Sequence, residues 1–357
     1  MNNFLEGKRI LITGGTGSMG KTFVKRVLSG ECGQPKKVIV FSRDEGKHHQ
    51  MRLDYLHKKV STEEVTYNNF KNLLEFRIGD VRSYEDICSA CKSVDIIINA
   101  AALKQVPACE YFPFQALLTN CIGAENIVRA IRENDLPIEA VVGISTDKAA
   151  KPVNVMGMTK AIQERIFTTA NILVPQTRFM CVRYGNVLAS RGSVVPLFLE
   201  QIREGGPVTL TVPSMTRFLL CLDDAVDTVL EVLKKGKAGE TFVPRAPSAT
   251  VENIAKALIG SKSVETVVNG IRPGEKMHEI MISEEEINHC YKVGNYYAIK
   301  SMLPELNHYS DNDSNLTKEY SSEDEVLNLE GTIKLLEKHK LIGTSGQVFS
   351  GDSELLR

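Results

Sequence analysis

Apolar residues along the chain gather in short runs of five or six, and each run is followed by a longer stretch with helix-like patterning. The runs are Arg9–Thr13, Lys37–Phe41, Leu74–Ile78, Val94–Asn99, Ala140–Ile144 and Phe179–Tyr184. Short apolar runs cannot be told from buried helix by periodicity alone, so their regular spacing carries the assignment to strands. Strands alternating with helices (the first helix over Lys21–Leu28) predict a parallel sheet covered on both faces. His57–Phe70 is polar and reads as an insertion between the second and third strands. Ser310–Asp324 turns polar, a loop or linker, and a short amphipathic stretch, Glu325–Lys338, follows it. Gly343–Arg357 reads as a mobile tail. No internal repeat is visible.

The chain has 357 residues, enough for one large domain and a smaller one. Its formal net charge of -1 gives no basic surplus for nucleic acid or an anionic membrane. Met1–Lys8 lacks the apolar core of a signal peptide, and no run is long enough to span a bilayer. A cytoplasmic protein is expected. Of the cysteines at 32, 88, 91, 109, 121, 181, 221 and 290, only Cys88-x-x-Cys91 has redox or zinc spacing. It has no second pair to complete a tetrahedral site, so reduced thiols and no metal are expected.

Chemistry enters with Thr13-Gly14-Gly15-Thr16-Gly17-Ser18-Met19-Gly20, which leaves a predicted strand and opens a predicted helix. Gly14 allows the tight turn, Gly17 lets backbone approach a pyrophosphate, and Gly20 lets the helix pack on the sheet. The helix N-terminus then turns its free N–H groups to the phosphates. That context makes a dinucleotide site of the glycines. The second strand ends in Phe41-Ser42-Arg43-Asp44 rather than in an acidic residue that would hold a ribose 2′-hydroxyl. Ser42 and Arg43 suit a 2′-phosphate, and so NADP. Asp44 is one residue away, which leaves NAD possible. Asp80 and Val81, after the third strand, are positioned for the adenine.

Further blocks carry a resemblance. They are Gly79-Asp80-Val81-Arg82, Ala100-Ala101-Ala102-Leu103-Lys104-Gln105-Val106-Pro107, and Ser145-Thr146-Asp147-Lys148-Ala149-Ala150-Lys151-Pro152. Then come Arg183-Tyr184-Gly185-Asn186-Val187, Ser190-Arg191-Gly192-Ser193-Val194-Val195-Pro196, Met215-Thr216-Arg217-Phe218 and Gly270-Ile271-Arg272-Pro273-Gly274-Glu275-Lys276. Over about residues 7 to 290 the chain resembles the extended short-chain dehydrogenase/reductases. Within them it is most similar to the inverting bacterial UDP-N-acetylglucosamine 4,6-dehydratases of capsule and pseudaminic acid synthesis. Met156-x-x-x-Lys160 stands where the wider superfamily has Tyr-x-x-x-Lys, a swap that several members of the resembled group share. A thioether cannot take a proton, so Met156 serves there as a spacer.

The resemblance implies oxidation of the sugar at C4, removal of the C5 proton, loss of water from C6, and hydride return to C6. It implies Lys148 as the C5 base, which requires a lowered pKa, and Asp147 as a protonated acid at the C6 oxygen, with Thr146 beside them. Lys160 would hold the nicotinamide ribose and place charge by the C4 oxygen. Ala100, Ala101, Ala102, Lys104, Ser145, Tyr184 and Gly185 would complete the cofactor site. Lys104, Asn186, Val195, Arg217, Arg272 and Glu275 would meet the sugar nucleotide, the arginines its diphosphate. His278 reads as structural. UDP-N-acetylglucosamine is the implied partner, and a homo-oligomer (dimer or hexamer) the implied assembly.

The expected fold is α/β, a Rossmann-type doubly wound parallel sheet with a smaller C-terminal substrate-binding domain. Residues 1–190 form the NADP-binding domain, re-entered at about 218–245. Residues 191–217 and 246–301 form the substrate domain, with 302–357 as an extension. A UDP-sugar 4-epimerase on the same scaffold stays open, since it needs oxidation and reduction at C4 but no elimination. So does a non-catalytic NADP-binding protein.

Overall fold

The computed structural model describes residues 3–56, 64–188, 193–306 and 316–342. Six strands form where the apolar runs lie: β1 (Arg9–Thr13), β2 (Lys37–Ser42), β3 (Leu74–Ile78), β4 (Ile96–Asn99), β5 (Ala140–Thr146) and β6 (Arg178–Tyr184). They pair in parallel in the order β3-β2-β1-β4-β5-β6, with Thr241–Pro244 as a seventh parallel strand beside β6. Each run is apolar throughout because both faces are covered. Ile10 and Ile12 of β1 pack with Phe23, Val24 and Val27 of α1 (Ser18–Leu28) on one side. Leu11 packs on the other side with Ile87, Ile127 and Ile131. Each such side chain contributes about 1.5–3 kcal/mol by leaving water. The chain turns one way from β1 into β2 and the other way into β4. A crevice therefore opens at the carboxyl ends of β1 and β4, where sheets of this kind bind ligands.

A smaller apolar cluster forms a lid over that crevice. It joins the helix Val194–Arg203, the helix Val251–Ile259 and Leu336 of the last helix, Leu329–Lys338. Two boundaries differ from expectation. Cys290–Val293 and Tyr296–Ile299 form a hairpin that extends the main sheet antiparallel to Thr241–Pro244, so the lid does not run on to residue 301. Nor does the chain beyond 302 stand apart. Tyr320–Ser321 pairs with Ile280–Ile282, Val326–Leu327 pairs with Ser248–Thr250, and the last helix packs in the lid. The apolar face of the stretch read as an amphipathic extension is buried by that lid. Of the expected insertion at His57–Phe70, residues 57–63 lie outside the described residues, and Glu64–Leu73 is helical. The expected tail, Gly343–Arg357, also lies outside them, as do Ser190, Arg191 and Gly192.

Candidate functional site

A cleft of about 1360 Å³ runs from the start of α1 across the ends of β1, β4, β5 and β6 to the lid. That exceeds the usual 300–1,000 Å³ of a single small-molecule site and suits two ligands end to end. Every residue singled out from the sequence lines it except Thr13, Asp147 and Val195.

At one end the turn after β1 is drawn tight. Gly14 has φ of +64°, and a Cβ there would lie 2.7 Å from the Ala101 nitrogen. Only glycine lets the two loops meet, and the backbone N–H groups at the start of α1 stay open to an anion. Thr13 does not face the cleft. Its buried hydroxyl donates to Asn99 Oδ1 at 2.7 Å and so ties β1 to β4 beneath the ligand surface. A dinucleotide pyrophosphate fits this cradle, which Gly14, Gly17 and Ser18 line at the helix N-terminus.

At the end of β2, Thr16 donates to Ser42 Oγ at 3.1 Å, and Ser42 Oγ lies 2.8 Å from His48 Nε2. Arg43 is about half exposed at the cleft edge and only loosely paired, 3.5 Å from Asp80. Asp80 is committed more closely to Arg82, at 2.6 Å. Asp44 turns away. Its Oδ1 accepts from the Lys47 nitrogen at 3.0 Å, and its Oδ2 lies 2.7 Å from Lys47 Nζ. It caps the helix Glu45–Leu56.

β5 runs into a single 3-10 turn, Asp147–Ala149, whose start is capped by Thr146 Oγ1. The helix Val155–Leu173 docks directly on that turn. At Gly157 a Cβ would lie 2.2 Å from the Lys148 carbonyl oxygen, so no larger residue fits. Asn154 caps this helix and also donates to the Gly274 carbonyl, which anchors a lid loop.

Lys148 Nζ emerges from the turn into a set of acceptors: Asp147 Oδ1 at 3.1 Å, Glu279 Oε1 at 3.1 Å and Asn186 Oδ1 at 3.3 Å. Its side chain keeps a fifth of its surface exposed. Burial works to lower its pKa, but Asp147 and Glu279 outweigh it and hold the pKa above the ordinary lysine value. The expectation of a lowered pKa is thus corrected, and the two carboxylates are the reason. Asp147 meets the opposite expectation: burial, with Glu279 nearby, pushes its carboxyl above the usual range despite Lys148. It is fully buried, however, one layer behind the cleft wall, and Thr146 Oγ1 donates to its Oδ1 at 2.8 Å. Its Oδ2 has no hydrogen-bond partner among the described residues.

Lys160, also buried, donates to the Ile144 carbonyl at 2.8 Å and to Gln163 Oε1 at 2.9 Å. Burial lowers its pKa to about 8. Met156 packs against Cys109, Ala116 and Leu103, and its edge lines the cleft. Ser145 donates to Glu164, which also holds Arg183. Burial raises the Tyr184 phenol out of the range in which it could ionise.

On the lid side, Arg217 donates to the carbonyls of Thr216 and Met277 and lies 3.8 Å from Glu279. Arg272 and Glu275 stand together on one loop, where the Glu275 nitrogen donates to the Arg272 carbonyl. Val195 is corrected: it is 1% exposed in the lid core beside Phe198, because Val195, Phe198 and Ile202 form the inward face of their helix. His278 is held by Thr216 at 2.8 Å and by Glu323 at 3.4 Å, a structural arrangement.

Two residues were missed from the sequence. Glu279 follows the His278 that drew the attention, and nothing local marks it. Asn120 sits in a π-helical turn, Leu118–Ile122, and clamps Leu103 through both its nitrogen and its carbonyl. A buried asparagine at a π-bulge is the kind of signal only a structure supplies. Cys221, Asp224 and His339 bring a thiol, a carboxylate and an imidazole together, but Cys221 and Asp224 form the capping box of the helix Leu222–Lys235. All eight cysteines are free.

Residues 10–301 match the polysaccharide biosynthesis protein family. A protein of Rickettsia typhi named UDP-glucose 4-epimerase is 43% identical over 307 residues, covering 84% of this chain and 85% of its own. One of the same name from Rickettsia bellii is 44% identical over 306 residues, with the same coverage. Pen from Bacillus thuringiensis superposes with a TM-score of 0.83 at 32% identity, over 95% of this chain and 99% of its own. DesIV, a dTDP-glucose 4,6-dehydratase of Streptomyces venezuelae solved with NAD and TYD bound, shares the fold. Its TM-score is 0.62 at 21% identity, over 75% of this chain and 86% of its own. No helix of the described residues is long and apolar enough to cross a membrane. The chain belongs to the polysaccharide biosynthesis protein family, as a nucleotide-sugar-modifying enzyme of the extended short-chain dehydrogenase/reductase type.

Proposed function

We propose that the enzyme is an NADP-dependent UDP-N-acetylglucosamine 4,6-dehydratase that inverts C5. The observation that carries this reading is the proton-bearing pair Asp147 and Lys148, in the 3-10 turn on which Lys160's helix docks, with Lys148 reaching the cleft. An epimerase needs to oxidise and reduce C4 only. An elimination also needs a base at C5 and an acid at the C6 oxygen.

When bound, the nicotinamide supplies the hydride acceptor for C4 and the donor for C6. The residues of the chain do the rest. Lys160 keeps a cation beside the C4 oxygen. Oxidation at C4 releases the hydroxyl proton to solvent in the cleft and acidifies the C5 proton, and Lys148 in its neutral form removes the latter. In the reactive form Asp147, whose pKa burial raises, carries the proton and releases it toward the leaving C6 hydroxyl. Because Asp147 stands behind the wall, the hydroxyl of Thr146, a residue that lines the cleft, turns from donating to Asp147 to giving its proton to the leaving oxygen while it takes that of Asp147. Water leaves, a 4-keto-5,6-ene remains, and after C6 is reduced a solvent-derived proton reaches C5 on the opposite face while Lys148 returns its own to solvent. Arg217 and Arg272 are assigned to the diphosphate, where charged donors suit phosphate oxygens.

Purified protein with UDP-N-acetylglucosamine and catalytic NADP+ is expected to give a product lighter by one water, with one deuterium at C5 in D2O. Proton NMR couplings of that product read the C5 configuration. The names of the Rickettsia relatives favour a second reading, a UDP-sugar 4-epimerase. A product of unchanged mass epimerised at C4 would establish that reading instead.

NADP rather than NAD is supported by Ser42, the loosely paired Arg43, and the engagement of the Asp44 carboxylate by Lys47. Arg43→Asp is expected to weaken NADP binding by about 2 kcal/mol, roughly 30-fold, through a lost charged hydrogen bond and an added repulsion. NAD binding should change far less. Equal losses for both cofactors, measured by calorimetric titration, would mean that Arg43 does not meet the 2′-phosphate.

A further inference from the structure

We propose that Glu279 is a positioning residue of the elimination: it holds Lys148 against Asp147, and its charge sets the pH window in which those two residues share one proton. The inference rests on the dehydratase reading above.

An ammonium has three hydrogens to donate, and Lys148 Nζ has three acceptors around it, on Asp147, Glu279 and Asn186. Nζ is thereby fixed in direction, which a flexible lysine otherwise is not. Glu279 is itself rigid. Its backbone nitrogen accepts no freedom, since it donates to Ser322 Oγ at 2.9 Å, and its carbonyl accepts from the Ser322 nitrogen at 2.8 Å. Ser322 is in turn bonded to Thr216, beside Arg217. The carboxylate is 2% exposed, and its Oε2 has no hydrogen-bond partner among the described residues. Such an atom is costly to bury unless the charge beside it is used.

The reactive form of the pair is protonated Asp147 with neutral Lys148. The resting ion pair is the same pair with that proton moved from Asp147 Oδ1 to Lys148 Nζ, across a contact of 3.1 Å. Both forms carry one shared proton, so activity needs the pair to hold one, neither two nor none. The two pKa values that bound this window belong to the pair, not to either residue. An anion 3.1 Å from Nζ raises both of them. The other charged groups facing Lys148 are Arg217, on the strand Thr216–Phe218, and Lys276, on the lid loop, and both oppose Glu279. Burial works to raise the Glu279 pKa, but Lys148 and Arg217 outweigh it and keep it ionised.

The test is the pH profile of kcat/KM for wild type, Glu279→Gln and Glu279→Asp, with product mass recorded at every point. Glutamine keeps the shape and an acceptor oxygen but not the charge. Both limbs of its profile should move to lower pH by roughly one to three units, the usual effect of a neighbouring charge. Glu279→Asp keeps the charge at a longer distance, and its limbs should move the same way by less. Limbs that stay in place in Glu279→Gln, however far the rate drops, would overturn the proposal and leave Glu279 a structural residue. If the glutamine variant does not fold, unmoved limbs in Glu279→Asp decide the matter in the same way. Failure of the dehydratase reading is seen separately, as wild-type product that has lost no water at any pH.

Discussion

Lys148→Ala is expected to lower dehydration by roughly 10²–10⁴-fold, the usual worth of a general base, and to abolish deuterium wash-in at C5. The lysine is the one cation of the cluster that both reaches the cleft and touches Asp147. Removing it strips the proton acceptor and also the partner that brings Asp147 into the reaction. The fold should survive. Asp147 and Glu279 would be left as buried carboxylates, and Asp147, whose pKa burial already raises, relieves the charge by taking up a proton. A loss of about 1–3 kcal/mol from unsatisfied groups is the scale to expect in thermal unfolding. Cofactor binding, titrated directly, should be close to wild type, because the glycine turn and the end of β2 lie elsewhere in the cleft. Asp147→Asn should also stop water loss, yet permit C5 exchange, since the base remains. Full C5 exchange in Lys148→Ala would transfer the role of base to Lys160 or Lys104.

The sheet was legible because its strands are buried on both faces, which writes a run of apolar residues such as Ile10-Leu11-Ile12 with no polar interruption. Strand ends were less so: the fourth strand begins at Ile96 rather than Val94, and α1 begins at Ser18 rather than Lys21. Ser18 is drawn into the helix by the glycine turn before it, not by its own preference. The hairpin Cys290–Ile299 was in principle readable, since Gly294-Asn295 is a two-residue turn between β-prone runs. It was assigned to the lid because local sequence does not say which sheet a hairpin joins. Val195 is a different failure. Its spacing with Phe198 and Ile202 marks a core face, and reading it as a ligand contact gave the motif precedence over the periodicity. Asp147 and Lys148 were legible from the motif, and so was the raised pKa of Asp147, but the raised pKa of Lys148 was not. That depends on Glu279, which reaches them only through the pairing of Ile280–Ile282 with Tyr320–Ser321 and the bonds of Ser322. A charge brought in by tertiary structure leaves no trace in the sequence near the residue it tunes.

Lys160→Ala is expected to slow C4 oxidation by roughly 10²–10³-fold, the cost of removing one well-placed charged donor from a developing oxyanion. Lys160 is fixed by the Ile144 carbonyl and Gln163, so its ammonium is held in place before substrate arrives. Its pKa gives the effect a direction in pH. Burial lowers it to about 8, so the side chain is a cation below that pH and neutral above it. If the cation is what acts, single-turnover formation of reduced nicotinamide should fall as pH rises through about 8, and Lys160→Ala should lack that limb. The same shift bears on stability with the sign fixed by proton counts. Between about 8 and the ordinary lysine value the unfolded chain binds more protons than the folded one, so stability rises with pH across that window. Below about 8 the folded protein carries the full penalty of a buried ammonium, about 3 kcal/mol. Lys160→Ala escapes that penalty but leaves the Ile144 carbonyl with one donor fewer, so its melting temperature at neutral pH should change little while its rate collapses. Met156→Leu, one turn away, should retain activity within about threefold, because the volume is nearly conserved and no proton passes through a thioether. A pH limb near 8 that persists in Lys160→Ala, or a Met156→Leu variant as slow as Lys160→Ala, would show that the charge beside the C4 oxygen is not supplied by Lys160.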